Sequence, residues 1–311
     1  MERLRRSKTE PLLGCHVSVA GGVHRAFERG AALDCTAVQI FTRNQRQWQA
    51  PPLHTEQVDR FLKSAQEYTR IRSVLAHGSY LVNLAADGGS ARKIQLSTET
   101  LLDELNRCRM LGIPFLIVHP GSHGGDGEVS GVERVISRIE SVLKRFDGNT
   151  ALLIETTSGQ GNGIGYRFEH VRDIIRGVHD SRLGSCIDTC HIFSAGYDIR
   201  TGKSLWRTIR KFDRVVGLEY VSALHLNDSR GALGSRVDRH THIGAGEIGV
   251  KPFSLIMRDR QFAPIPKIIE TPKNLEGQDM DVKNLDLLRS MVRTSHGGKG
   301  YSKPGKIFNV G

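Results

Sequence analysis

The sequence predicts an α/β protein, a closed (β/α)8 TIM barrel with a metal site at the C-terminal face of its strands. Three observations predict it. Eight short runs rich in β-branched residues or leucine recur along the chain, and such runs read as buried strands. Segments with three-and-four apolar spacing lie between them, and regular alternation of strand and helix argues for a parallel sheet with crossover helices. Six of the runs end in a His or a carboxylate. In a parallel barrel those groups converge on one mouth, where such enzymes keep their chemistry.

Taken in order, the strands are expected at Leu12–Val19, Ala37–Phe41, Ser73–His77, Phe115–His119, Ala151–Thr156, Gly184–Thr189, Val221–Asn227 and Pro266–Thr271. The helix after the second strand is marked by Val58, Phe61, Leu62 and Ala65. Further along, Val132, Val135, Ile136, Ile139, Val142, Leu143 and Phe146 repeat the helical spacing. So do Val171, Ile174, Ile175 and Val178, then Leu205, Ile209, Phe212, Val215 and Val216. Eight units favour closure over an open doubly wound sheet. No G-x-G-x-x-G or Walker signature follows a strand, which weighs against a nucleotide cofactor.

At 311 residues the chain suits one barrel of roughly 250 residues with extensions. A basic N-terminal extension is expected over 1–11, the barrel over 12–292, and a basic, glycine-rich C-terminal tail over 293–311. The net charge of +11 favours a polyanionic partner. No apolar stretch approaches the roughly 20 residues that span a bilayer, and the basic N-terminus leads into no apolar signal segment. The five cysteines are odd in number and scattered, which suits reduced thiols in a cytoplasmic compartment, or a nucleus or organelle if the source is eukaryotic. Cys186 and Cys190 flank Asp188 at a spacing that shares one strand face if the strand runs that far; they read as packing residues. Nothing points to an obligate oligomer, so a monomer is expected.

The six strand-end groups are His77, His119, Glu155, Asp188, His225 and Glu270, and His191, Asp238 and His240 follow in loops. A catalytic zinc usually takes three protein ligands plus water. Nine candidate ligands therefore suggest more than one ion, and three fits the count. The nitrogen and oxygen mixture suits zinc or manganese better than magnesium. Each group also has a bland reading: a strand-end His as a core residue, Glu155 and Glu270 as halves of ion pairs, Asp188 as a helix N-cap. Those readings must hold together at one barrel end, where several carboxylates so close repel unless protonated or bound to cations. A multi-metal mouth on a basic protein suggests phosphate-ester hydrolysis, in which ions activate water and offset phosphoryl charge. From the residues alone the substrate is a phosphodiester polyanion and no more.

The segments Gly14–Gly22, Phe41–Trp48, His77–Leu84, His119–His123, Glu155–Gly161, Asp188–His191, His225–Ser229 and Arg236–His240 resemble, in order and register, the endonuclease IV family. The match runs from about Leu12 to Thr271. The resemblance implies a class II apurinic/apyrimidinic endonuclease on a TIM barrel with a trinuclear zinc site, manganese being possible at one position. By position it implies His77, His119 and Glu155 for one ion, Glu155, Asp188, His225 and Glu270 for a second, and His191, Asp238 and His240 for a third. Glu155 and Glu270 take the catalytic roles. The implied reaction is hydrolysis of duplex DNA 5′ to an abasic site, leaving a 3′-hydroxyl and a 5′-deoxyribose phosphate, with removal of 3′ blocking groups beside it.

Arg46, Tyr80 and Leu81 resemble the family's minor-groove inserting residues. A flat or apolar wedge can replace lost stacking, and an abasic nucleotide flips at low cost. Trp48 is expected to brace the second loop, and His16 and His123 either to line the site or contact phosphate, or to make structural hydrogen bonds. The chain departs from the family's usual residues at Thr156, Ser158 and Gly78, the last expected to loosen its loop. His242 is close enough in sequence to His240 to compete as a ligand. The competing readings are a metal-dependent sugar isomerase or epimerase of the same barrel type, and a non-catalytic DNA-binding barrel.

Overall fold

The computed structural model describes residues 10–89, 91–275 and 277–293. The expected basic extension and tail fall mostly on residues 1–9 and 294–311, which lie outside the described residues. In chain order the strands are β1 (Leu13–His16), β2 (Ala37–Phe41), β3 (Ser73–His77), β4 (Phe115–Val118), β5 (Ala151–Glu155), β6 (Leu183–Asp188) and β7 (Val221–His225). There follow a two-residue antiparallel pair, β8 (Asp228–Ser229) with β9 (His240–Thr241), and then β10 (Lys267–Ile269). The barrel closes in the order β1-β10-β7-β6-β5-β4-β3-β2, every pair parallel. The TIM-barrel expectation therefore holds.

Helices cover the outside: α1 (Arg25–Ala32), α2 (Thr55–Glu67), α3 (Ala91–Leu111), α4 (Glu128–Arg145), α5 (Phe168–Gly177), α6 (Thr189–Ser194), α7 (Gly202–Val215), α8 (Val250–Arg258) and α9 (Met280–Arg293). Their buried faces are the ones the spacing predicts. On α4, Val132, Val135, Ile139, Val142 and Leu143 are buried, and on α7 Leu205, Ile209 and Phe212. The Thr201 hydroxyl accepts from the Ser204 amide and caps the start of α7. Phe212 has no exposed surface, and truncating a side chain so enclosed to alanine costs about 3–5 kcal/mol. Among the described residues no helix is long and apolar enough to cross a membrane.

Inside the barrel a separate apolar layer is formed by Ala37, Leu75, Ile117, Leu153, Cys186, Ala223 and Ile268. Side chains alternate along a strand, so the residue two positions on points inward again. Two residues beyond these plugs stand Gln39, His77, His119, Glu155, Asp188, His225 and Glu270. The pleat alone thus stacks a polar layer on an apolar floor. At Gly14 a Cβ would fall 1.6 Å from the Ala37 carbonyl oxygen, so glycine is what lets β1 and β2 close the barrel there.

Strand ends differ from expectation by a few residues. β1 stops at His16, ahead of a turn whose Gly21 and Gly22 have φ of 87° and 121°. β6 stops at Asp188, whose carboxylate accepts the His191 amide and starts α6. Cys190 therefore sits on a helix, not on the strand face it was expected to share with Cys186 and Asp188. All five cysteines are buried and unbridged.

Candidate metal centre

The strand-end groups meet at the C-terminal mouth. His77 Nε2 lies 3.1 Å and His119 Nε2 2.9 Å from Glu155 Oε2. The other Glu155 oxygen is 2.8 Å from His225 Nδ1, which is also 3.2 Å from Glu270 Oε2 and 3.8 Å from Asp188 Oδ2. At the edge of the cluster, His191 Nε2 is 3.2 Å from Asp238 Oδ2 and 3.4 Å from His240 Nε2. His240 arrives there because β9 pairs with β8, placing it opposite Ser229.

Among the described residues, five groups of His, Cys, Asp and Glu bring one donor atom each within 4.8 Å of one another. Three of them are His77–His119–Glu155, Glu155–Asp188–His225–Glu270 and His191–Asp238–His240. The nine residues singled out from the sequence thus come together in the three sets expected, with Glu155 common to two. The other two groups add Cys186 and Cys190, but burial pushes both thiols up to about 12, and a thiol held protonated is a poor donor.

The ring tautomers decide whether these groups fit metal ions. His77 Nδ1 donates to the Gly78 carbonyl at 2.8 Å, and His191 Nδ1 to the Thr156 carbonyl at 2.8 Å. His225 Nε2 donates to Gln39 Oε1 at 2.8 Å. Each bond fixes the proton on the outer nitrogen and leaves the inner one as a lone pair facing the cluster. Lone pairs then face carboxylate oxygens, and His191 Nε2 faces His240 Nε2. Such contacts repel unless positive charge stands between them. Protons on the inner nitrogens or a metal cation in their place can supply it, and mixed imidazole and carboxylate donors suit zinc.

The electrostatics agree. Burial opposes charge on His77, His191 and His225, yet the acidic groups around them raise all three above the usual imidazole range. Burial likewise opposes charge on Glu155 and Glu270, yet the neighbouring histidines hold Glu155 well below the carboxylate range and Glu270 at about 2. The site favours positive charge at its centre. Asp188 is both the N-cap of α6 and a member of the cluster, so its bland reading and its sharp one coexist.

Several expectations about neighbours change. His123 accepts the amides of Gly125 and Gly127 at its Nδ1, so its ring shapes its own loop. His242 Nδ1 accepts from Asn284 at 3.2 Å and belongs to none of the donor groups. Gly78 does not have a positive φ; it permits close packing, since a Cβ there would lie 2.8 Å from Val118 Cγ1. His16 does line the site, 3.9 Å from Glu270 Oε1, with burial lowering its pKa to about 3. Trp48 is tied to its loop through its carbonyl, which accepts from Arg43.

Gln39 and Asn227 were not singled out from the sequence. Gln39 accepts from His225 and donates to Glu270 Oε1 at 2.6 Å. Asn227 donates to Asp188 Oδ2 at 2.7 Å and accepts the Glu270 amide at 2.7 Å. The alternation that marked the ligands also marks Gln39, two residues after a barrel plug. Asp228 was missed as well. It accepts five backbone amides, from Ser229, Gly244, Gly246, Ile248 and Gly249, and so ties down the loop after His240.

Beside the cluster, Arg46 is exposed at the loop after β2, Tyr80 is 63% exposed at the loop after β3, and Leu81 is half-buried. The Tyr80 ring stands 5.6 Å from Phe41 and 5.9 Å from His77, so the three lie at one edge of the mouth.

Comparison with known proteins agrees with this geometry. The family profile described as a xylose isomerase-like TIM barrel matches residues 27–291. A probable endonuclease 4 from Chloroflexus aggregans is 49% identical over 288 residues, covering 91% of this chain and 98% of that protein. The crystal structure of endonuclease IV from Thermus thermophilus superposes with a TM-score of 0.80 at 35% identity, over 92% of this chain and 100% of that one. A D-tagatose 3-epimerase-like protein shares the fold at 16% identity, with a TM-score of 0.68 over 90% of this chain and 97% of that one. That likeness concerns the fold alone, so the sugar-isomerase reading gains no support beyond architecture. The donor groups, the barrel and the relatives agree: the chain is an enzyme of the endonuclease IV family.

Proposed function

We propose that this chain hydrolyses the phosphodiester 5′ to abasic sites in duplex DNA, leaving a 3′-hydroxyl and a 5′-deoxyribose phosphate, and clears blocked 3′ ends. In this reading His77, His119 and Glu155 hold one zinc ion, Glu155, Asp188, His225 and Glu270 a second, and His191, Asp238 and His240 a third. The observation that carries it is the shared carboxylate: Glu155 contacts His77 and His119 through one oxygen and His225 through the other. A single-ion isomerase site has no use for that arrangement or for the outlying His191–Asp238–His240 group. Zinc so held supplies a nucleophile near neutral pH and offsets the charge of the phosphoryl transition state.

The protein's own part is placement. Gln39, Asn227 and the backbone carbonyls of Gly78 and Thr156 hold the ligand side chains in one tautomer and one orientation. Arg46, Tyr80 and Leu81 enter the minor groove and fill the space of the missing base, while the net charge of +11 favours binding to the phosphate backbone.

The test is a labelled duplex with one tetrahydrofuran abasic analogue, which cannot undergo β-elimination, beside an undamaged duplex. Wild-type protein is expected to cut 5′ to the analogue only and to leave an extendable 3′-hydroxyl. No cutting by protein shown to hold three zinc ions would end the proposal and return attention to sugar substrates.

A further inference from the structure

Behind the edge formed by Arg46, Tyr80 and Leu81 lies a carboxyl group that the metal cluster does not use. Glu104, on α3, is 1% exposed. Its Oε1 accepts the Ser79 amide at 2.9 Å, while its Oε2 has no hydrogen-bond partner among the described residues. Among the described residues it forms no ion pair: the nearby Arg43 gives its two terminal nitrogens to Asp103 at 2.7 Å and to the carbonyls of Gln47 and Trp48, and only its Nε is left without a partner. Burial lifts the Glu104 carboxyl to about 8, which keeps it neutral near pH 7. A buried carboxyl that makes a single protein bond is a costly choice for a helix face that leucine could fill.

That one bond reaches a junction. The Ser79 hydroxyl donates to the Gln45 carbonyl at 2.9 Å and accepts the Leu81 amide at 3.2 Å. Ser79 therefore adjoins Tyr80 in sequence, holds Leu81 directly, and holds the residue before Arg46. Gly78 allows the loop to settle this low, since a Cβ there would lie 3.3 Å from Glu104 Oε2. One turn further along α3, Arg107 donates to the Thr42 and Pro51 carbonyls and pins the other side of the loop after β2.

We propose that Glu104, acting through Ser79, is a positioning residue that presets Arg46, Tyr80 and Leu81 for the abasic gap before DNA arrives. The inference rests on the reading of those three residues as the inserting edge. Glu104→Ala frees the Ser79 amide, whereas Glu104→Gln keeps an acceptor in the same place. Amide hydrogen exchange of the zinc-loaded protein without DNA reads the brace itself, and binding to tetrahydrofuran and undamaged duplexes reads its use.

Glu104→Ala is expected to speed exchange at Ser79 and Leu81 and to weaken tetrahydrofuran-duplex binding by about tenfold to a hundredfold, the scale of a misplaced contact. Undamaged-duplex binding is expected to stay within about twofold, and Glu104→Gln to behave as wild type, because only the damage-specific contacts are displaced. In a Tyr80→Ala background Glu104→Ala should cost less than it does alone, since part of what it displaces is already gone. Unchanged exchange, equal loss on both duplexes, or additive losses would overturn the proposal. Should Glu104→Ala not fold, Ser79→Ala removes two of the junction's bonds and must show the same pattern of selective loss. Wild-type protein with no preference for the tetrahydrofuran duplex would instead overturn the functional reading beneath it, a failure that the exchange data, taken without DNA, keep separate.

Discussion

At the mouth of the barrel Glu155 and Asp188 have no exposed surface and face histidines whose inner nitrogens point back at them. At the other end Lys267 is 1% exposed, and its ammonium donates to the carbonyls of Phe262 and Ile265 at 2.5 and 2.7 Å. Arg182 on that side is likewise satisfied, by the carbonyls of Leu143, Phe146 and Gly148 and by Asp180. Charge at the bottom is closed by its own backbone. Charge at the top is arranged around a centre that other groups must complete. The difference teaches where to look for chemistry: buried charge closed by its own backbone leaves nothing for a ligand to complete, whereas buried charge aimed at other buried charge can serve one.

The sharpest break of that contrast is Glu155→Ala. Two of the three cysteine-free donor groups share this carboxylate, so incision of the tetrahydrofuran duplex should fall by more than about a thousandfold, beyond the loss of one transition-state donor. Circular dichroism should stay native; near-normal turnover would remove Glu155 from the centre. Next in size is metal removal. Stripping with a zinc chelator should abolish incision and lower the melting temperature, and zinc should restore both. Saturating zinc at about a thousand times Kd contributes about 4 kcal/mol per site. A melting temperature indifferent to chelation would mean the top is satisfied without ions.

A smaller effect is expected from Gln39→Leu, which leaves every ligand in place but frees the outer nitrogen of His225 and one oxygen of Glu270. Zinc affinity should fall by about 10–100-fold, read by competition with a chromophoric chelator. Affinity equal to wild type would reduce Gln39 to filler. The smallest effect belongs to the bottom. Burial lowers the Lys267 amine to about 7, against an ordinary value of about 10.4. Between those values the unfolded chain binds the extra proton, so stability rises with pH across that window. Below 7 both states carry the proton and the penalty is complete. Lys267→Met should therefore be the more stable protein at pH 7, with its advantage shrinking by up to about 1.4 kcal/mol per pH unit on the alkaline side. Urea titrations at pH 7, 8 and 9 measure this, and incision should be unchanged. A less stable variant at pH 7 would show that the two carbonyl bonds outweigh desolvation.

Much of this contrast was legible in the chain before folding was considered. A strand's side chains alternate, so a hydrophobic run that ends in His or carboxylate declares both its plug and its ligand. Leu75 with His77 and Leu153 with Glu155 are read this way, and the rule extends to Gln39, whose uncharged amide gives no sign of metal chemistry. The proposed inserting edge was legible only by resemblance. Nothing in the spacing of Arg46, Tyr80 and Leu81 distinguishes them from loop packing.

By itself the sequence determined the eight strands, the faces of α4 and α7, and the six strand-end side chains that the pleat carries inward, because all of these follow from local periodicity. The tertiary structure decided the rest. Glu104 meets Ser79 across 25 residues of sequence, His225 meets Gln39 across 186, and His240 faces His191 because β9 pairs with β8. The fates of His123 and His242, and the ring nitrogen that each ligand offers, were settled by hydrogen bonds to partners that no period announces. Such contacts depend on where closure of the barrel puts distant loops. Local spacing carries no information about that closure until the last strand has paired with the first.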